Sequence, residues 1–122
     1  MSVRAIGHVE SGIDTAAPVD SVASVESRIV LDPSMVDGVL GLKPGRRITV
    51  VYWFHRSVGY ELLQHPRGDR NRPKRGVFAL RSPHRPNPIG ITRVQLVSIE
   101  KNVLLVRGLD AMDGTPILDL KP

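Results

Sequence analysis

Residues 81–90 read Arg-Ser-Pro-His-Arg-Pro-Asn-Pro-Ile-Gly. Pro83, Pro86 and Pro88 fix three φ angles and remove three amide donors, so this stretch is neither helix nor inner strand. A loop stiffened in this way presents Arg81, Arg85 and Asn87 in fixed directions at little entropic cost. A plain corner needs no such alternation of proline with charged and amide side chains. Gly90 leaves room for a turn or for close approach of backbone to a ligand. The second constellation is Leu109-Asp110-Ala111-Met112-Asp113-Gly114-Thr115-Pro116. Asp113-Gly114 is an ordinary turn signal. Asp110 follows an apolar strand, where it could accept hydrogen bonds from a ligand or cap local backbone amides.

The remaining reactive side chains narrow the chemistry. His55 closes a strongly apolar run and is followed by Arg56, a pair suited to the rim of a cavity, although a hydrogen-bonded strand end would also explain His55. His8, His55, His65 and His84 have no metal-ligand spacing, and the chain has no cysteine, so no metal site is expected. Ser57 and Ser82 lack a nucleophile-elbow context. Neither a dinucleotide fingerprint nor a P-loop occurs.

Strands must position these loops. The first is expected over Val3–Val9, and the second over Val22–Leu31 after a loop from Ser11 to Asp20. Asp32-Pro33 reads as an N-cap with proline at the first helical position, opening a short helix to about Leu40. Ile48–His55 is nearly continuous in apolar residues and suits a buried central strand. A long polar loop follows from Gln64 to Arg75, and then a short strand over Val77–Leu80. Ile91–Ile99 and Val103–Leu109 alternate around Glu100-Lys101-Asn102 as a hairpin, and Ile117–Leu120 is the last strand. Six or seven strands with one or two short helices predict an all-β chain, a small closed or half-closed barrel. No linker or repeat divides residues 1–122, so one domain is expected.

Composition bounds the partners. The chain has 122 residues, 41% of them hydrophobic, which is enough for a packed core and too apolar for a disordered tail. Aromatics are 4%, too few for a protein that stacks many bases on rings. No apolar run is long enough to span a membrane and the N-terminus lacks a signal peptide's apolar region, so a cytoplasmic protein is expected. The net charge of +5 is unevenly spread. Residues 41–85 carry eleven Lys/Arg against Glu61 and Asp69, whereas residues 1–40 carry Arg4 and Arg28 against six acids. Five of the cations, Arg67, Arg70, Arg72, Lys74 and Arg75, crowd the long loop. Such clustering points to a polyanionic partner, since phosphates exchange their counterions for clustered cations.

The run Gly76-Val77-Phe78-Ala79-Leu80-Arg81-Ser82-Pro83-His84-Arg85-Pro86-Asn87-Pro88-Ile89-Gly90-Ile91 strongly resembles a signature of the TsaA-like (TrmO) methyltransferase family. The run from Gly108 to Pro122 looks like that family's second signature. Ile6-Gly7 and Trp53-Phe54-His55 also fit, so the resemblance covers nearly the whole chain. It implies a small barrel that binds S-adenosyl-L-methionine without a Rossmann fold, as a homodimer with the cofactor near the interface. It also implies methyl transfer to N6 of threonylcarbamoyladenosine beside a tRNA anticodon.

Carried over by position, the cofactor contacts fall on His55, Arg56, Arg81, Ile91, Arg107, Gly108, Leu109 and Asp110, with Arg85 and Asn87 shaping the same cavity. The loop cations Arg67, Arg70, Arg72, Lys74 and Arg75 would hold an anticodon stem-loop. His84 and Asp113 are the candidates for a general base, if the reaction uses one. Two departures stand out. Ala17-Pro18-Val19-Asp20 replaces a Pro-Arg-Gln sequence that contributes to the family's cofactor site. The chain ends at Lys121-Pro122, short of the extra C-terminal domain of longer bacterial members. Two other readings stand beside this one: the same cofactor with a different RNA or small-molecule acceptor, and a non-catalytic barrel that binds nucleic acid or a nucleotide-like ligand.

Overall fold

The computed structural model describes residues 1–11 and 25–122. Among these described residues eight strands occur in chain order: β1 (Gly7–Glu10), β2 (Glu26–Leu31), β3 (Arg47–Trp53), β4 (Leu63–Gln64), β5 (Arg75–Gly76), β6 (Ile89–Glu100), β7 (Val103–Arg107) and β8 (Pro116–Lys121). Six of them close an antiparallel barrel in the order β1-β2-β7-β6-β3-β8. The remaining pair, β4 and β5, forms a separate two-stranded arm. No helix among the described residues is long and apolar enough to cross a membrane.

Alternation builds the core. Ile48, Val50 and Tyr52 face inward from β3, Val94 and Leu96 from β6, Leu104 and Val106 from β7, and Ile29 and Leu31 from β2. Val9 and Ile117 complete the lumen from the closing strands. The seam between β1 and β8 pairs only Gly7 with Ile117 and His8 with Pro116. Backbone bonds from Ile6 N to Ile117 O (2.8 Å) and from Val9 N to Thr115 O (2.9 Å) extend it. Register shifts at Val51/Tyr52 and at Leu96/Ser98 supply the bends a six-stranded closure requires.

The helix expected after β2 is a 3₁₀ helix over Pro33–Val39. Asp32 caps it as the sequence implies, its Oδ1 accepting from Ser34 N at 2.9 Å and from Ser34 Oγ at 2.8 Å. Val39 and Leu42 pack against the core beside the end where β2 and β6 finish.

Several boundaries differ from expectation. The first strand begins at Gly7 rather than Val3, because pairing with β2 and β8 starts there and Val3 is exposed. Val77–Ala79 is a 3₁₀ turn instead of a strand: Val77 N donates to Leu62 O at 2.8 Å and Leu80 N to Val77 O at 3.1 Å. Val77 is buried while Phe78 points out, so the chain turns there from the arm toward the barrel. The long basic loop is closed at its base by the pairing of Leu63 with Gly76 and Gln64 with Arg75. The expected start of the second strand at Val22, and the Ala17–Asp20 segment, lie outside the described residues.

The topology sorts the loops. β1, β3 and β7 finish at the end of the barrel where β2, β6 and β8 begin. Residues 54–88 and 108–115, which contain both chemistry-bearing constellations, therefore emerge at that same mouth.

Candidate functional site

A cavity of about 640 Å³ opens at this mouth. Its volume is in the range of sites for small organic ligands. Tyr52 and Thr92 reach it from β3 and β6. His55, Arg56 and Ser57 line it just after β3, Arg81, His84 and Arg85 come from the proline loop, and Asp110 to Met112 and Thr115 come from the loop before β8.

The proline loop is held by its own polar groups. Arg85 Nη1 donates to Leu80 O at 3.0 Å and to Ser82 O at 3.1 Å, so part of this guanidinium is used to clamp the loop. His84 N donates to Ser82 Oγ at 3.1 Å. Phe54 N donates to Pro88 O at 2.7 Å, fastening the loop's end to the end of β3. Arg81 is exposed, and among the described residues its guanidinium makes one long contact, Nη1 to Ile91 O at 3.5 Å. Its remaining donors are free for a planar anionic group, which guanidinium suits through paired hydrogen bonds.

Asp110 is held differently. Its Oδ1 accepts from Thr92 Oγ1 at 2.8 Å and from Tyr52 Oη at 3.1 Å. The two hydroxyls are themselves 3.1 Å apart. Tyr52 is 3% exposed, and its ring stands edge-on to Phe54 with centroids 5.3 Å apart. Burial, reinforced by the neighbouring Asp110 charge, raises the Tyr52 phenol well above the ordinary tyrosine range. It is therefore a neutral donor at every physiological pH.

Gly90 serves this packing directly. A Cβ there would lie 2.6 Å from Tyr52 Cε2 and Cζ. Its missing side chain makes room for a ring of the protein, and Gly90 also lines the cavity, where the sequence allows close approach to a ligand.

The loop before β8 is tied to β1. Gly114, at φ 82°, donates its amide to Val9 O at 2.7 Å. Thr115 Oγ1 donates to Met112 O at 2.5 Å. Asp113 Oδ1 accepts from Ser11 N at 2.8 Å.

The cavity thus gathers His55, Arg56, Arg81, His84, Arg85, Ile91 and Asp110 from the sequence-derived residues. Asn87, Arg107, Gly108, Leu109 and Asp113 are not among its lining. Leu109 is fully buried in the core. Arg107 Nη2 pairs with Glu26 Oε2 across β7 and β2 at 2.7 Å. The cations Arg67, Arg70, Arg72, Lys74 and Arg75 are all exposed on the arm, and none has an ion pair with a described residue. His84 Nδ1 lies 3.4 Å from Ser57 Oγ, which donates its own proton to Pro83 O at 2.8 Å. With its proton committed to Pro83 O, the Ser57 hydroxyl can only accept at its contact with the His84 ring. No group of three or more metal-ligating side chains occurs among the described residues.

Tyr52 and Thr92 were not singled out in the sequence. Their signal was present but faint: each is a hydroxyl-bearing residue at an inward position of an otherwise apolar strand series.

Residues 13–122 match the family described as tRNA-methyltransferase O N-terminal domain. The chain belongs to this family. It is 43% identical to a probable S-adenosyl-L-methionine-binding protein of Methanothermobacter thermautotrophicus, over 98% of this chain and 88% of that one. It is 44% identical to a protein of the same description from Methanocaldococcus jannaschii, covering 85% of this chain and 87% of the relative. Among solved structures, TrmO from Pseudomonas aeruginosa superposes over the whole chain with a TM-score of 0.77 at 30% identity. The chain spans 55% of that TrmO, so the match concerns the barrel part of a longer family member.

Proposed function

We propose that the chain is an S-adenosyl-L-methionine-dependent methyltransferase acting on N6 of threonylcarbamoyladenosine beside a tRNA anticodon. The observation that carries this reading is the placement of Arg81 and Asp110, one from each signature loop, on one cavity at the barrel mouth. A zwitterionic cofactor with a carboxylate, a ribose and an adenine fits such a lining. Arg81 suits the carboxylate, and Asp110 Oδ2 accepts from hydroxyl or amino groups. His55 and Arg56 border the same space. When bound, the cofactor supplies a methyl group on an electrophilic sulfonium.

The chain's own contribution is positioning and exclusion of water. The acceptor N–H adjoins a carbonyl, which makes it more acidic than the amine of adenine, so a weak base suffices. His84, at the cavity wall, is the base this geometry offers. Asp113 is a poorer one, since it lies off the cavity and its carboxylate is engaged with Ser11.

The exposed arm from Arg67 to Arg75 supplies the RNA contact by neutralising phosphates. Val58, Leu62, Leu63 and Phe78 are exposed apolar residues of the arm and its flanks, and Ile89 and Ile91 are exposed at the start of β6. This surface supports assembly as a homodimer, to be checked by light scattering. The substrate puts the reaction in the cytoplasm.

Transfer of a labelled methyl group to tRNA with and without the threonylcarbamoyl modification tests the reading. Labelling confined to modified tRNA is expected. Equal labelling of both would assign a different acceptor, and binding without any transfer would favour a non-catalytic barrel.

A further inference from the structure

Asp110 is an exposed loop residue, and water alone would satisfy its carboxylate. Two barrel strands nevertheless place hydroxyls against it. Tyr52 continues the inward series Ile48 and Val50, and Thr92 precedes Val94 and Leu96 in the inward series of β6. Val50 pairs with Thr92 and Tyr52 with Gly90, so the two hydroxyl residues are diagonal neighbours on one inner face. Neither hydroxyl is a loop decoration free to drift. The Tyr52 ring is confined between Gly90 and Phe54, and rotation about its long axis leaves Oη in place.

We infer that Tyr52 and Thr92 are positioning residues that fix the Asp110 carboxylate before any ligand arrives. The inference rests on the reading of this cavity as the cofactor site. Each hydroxyl has one proton and both donate it to the same oxygen, Oδ1, so the 3.1 Å approach of the two hydroxyls to each other carries none. An oxygen accepting two hydrogen bonds has its lone pairs occupied. The ligand is therefore offered Oδ2 alone, as a single acceptor in one orientation. Fixing a charged group in advance removes the ordering cost that binding would otherwise carry. The raised phenol contributes in the same sense, because it does not ionise and so never repels the carboxylate it orients.

The test is a mutant cycle with two readouts. Tyr52→Phe keeps the ring, and Thr92→Val keeps the side-chain shape, so both variants preserve the packing. Each is made alone and in an Asp110→Ala background, with Thr92→Ser as the conservative control, and each is titrated calorimetrically with S-adenosylmethionine. Loss of a hydrogen bond to a charged group is expected to weaken binding about 10-fold in the native background. Little further loss is expected once Asp110 is gone, and Thr92→Ser should bind like the native protein. Equal losses with and without Asp110, or native affinity in the Tyr52→Phe/Thr92→Val double variant, overturn the inference.

The second readout needs no ligand. Three-bond couplings about the Asp110 Cα–Cβ bond should report one staggered rotamer in the native protein and averaging in the double variant. A single rotamer retained in the double variant overturns the inference. If the native protein fails to bind the cofactor, the reading of the cavity falls while the couplings still decide the positioning role.

Discussion

Gly90→Ala should destabilise the barrel and loosen the site together. The added methyl would lie 2.6 Å from Tyr52 Cε2 and Cζ and 2.8 Å from Phe54 Cζ. Carbon atoms in good contact sit roughly 3.5–4.0 Å apart, so the Tyr52 ring must retreat by about 1 Å. The ring is 3% exposed and backed edge-on by Phe54, so the retreat displaces packed neighbours. Overpacking of this kind costs about 1–3 kcal/mol. Alanine recovers about 0.5–1 kcal/mol of backbone entropy at a strand position. The net loss then falls between about 0 and 2.5 kcal/mol, centred just above about 1 kcal/mol, or roughly 4–6 °C in Tm for a domain of this size. The same movement stretches the Tyr52 Oη to Asp110 Oδ1 contact from 3.1 Å beyond hydrogen-bonding range. Thermal melts followed by circular dichroism measure the first effect, and calorimetric titration with S-adenosylmethionine measures the second. Adding Tyr52→Leu removes the obstructed atoms, so the double variant should lose less stability than the two single losses combined. A Gly90→Ala protein that melts within about 1 °C of native, with Tyr52→Leu fully additive, would refute the close packing of the Tyr52 ring on Gly90.

Three further outcomes are expected. Neutralising Arg67, Arg70, Arg72 and Lys74 should weaken RNA binding and reduce the slope of log K against log salt by about 3, while cofactor affinity stays native; unchanged RNA affinity at low salt removes the arm from the RNA interface. Asp32 is held below the usual carboxyl range, first by the Ser34 amide and then by the Ser34 hydroxyl. A depressed folded-state value means that its stabilisation is complete above the unfolded value of 3.8 and lost as pH falls through the folded one. The Tm gap between native and Asp32→Ala proteins should therefore close in acid, and a gap that persists at about pH 2 would contradict the cap. The Tyr52 phenol has the opposite sign: its folded-state value is raised above the ordinary 10.0, so its contribution is complete below that pH and lost above it. Native protein should lose Tm relative to Tyr52→Phe as pH rises past 10.0, and parallel alkaline melting curves would show that the phenol is not desolvated.

Much of the barrel was legible because its strands carry their own period. Ile48, Val50 and Tyr52 announce an inward face, and Asp32-Pro33 announces a cap that the structure keeps. The turn between β6 and β7 was equally plain, with Lys101 taking the left-handed conformation at φ 56°. What failed to read depends on partners remote in sequence. The first strand's start is set by pairing with Ile117, more than a hundred residues away, and Val3 has no such partner among the described residues. Val77 to Leu80 has strand-like residues, but the bond from Val77 N to Leu62 O turns the backbone. At the site, the proline loop was visible as a rigid unit from composition alone. The Asp110 cluster was not, because it joins positions 52, 92 and 110 only after β3 and β6 are set in register.

The charge pattern is resolved by the same geometry into two separate uses of arginine. Arg81 stands at the cavity, where a guanidinium can meet one ligand group in a fixed orientation. The arm cations stand in solvent, where screening over about 8 Å makes them effective against a polyanion and weak against a single buried charge. The two regions are nevertheless mechanically joined. Gln64, at the arm's base, donates both amide protons, to Glu61 O at 2.6 Å and to His84 O at 2.5 Å. Ser57 adds a bond to Pro83 O at 2.8 Å. The backbone that carries His84 is thus held by the root of the arm that carries the exposed cations. On the proposed reading, an RNA seated on the arm is placed relative to the cavity by these bonds. Arm charge then governs whether RNA arrives, whereas Gln64 and Ser57 govern where the acceptor base stands once it has. Gln64→Ala should accordingly lower the rate of transfer at saturating RNA more than it lowers RNA affinity, the reverse of the pattern expected for Arg70→Ala. Matching losses in both parameters for both variants would show that the arm's root carries no positional information.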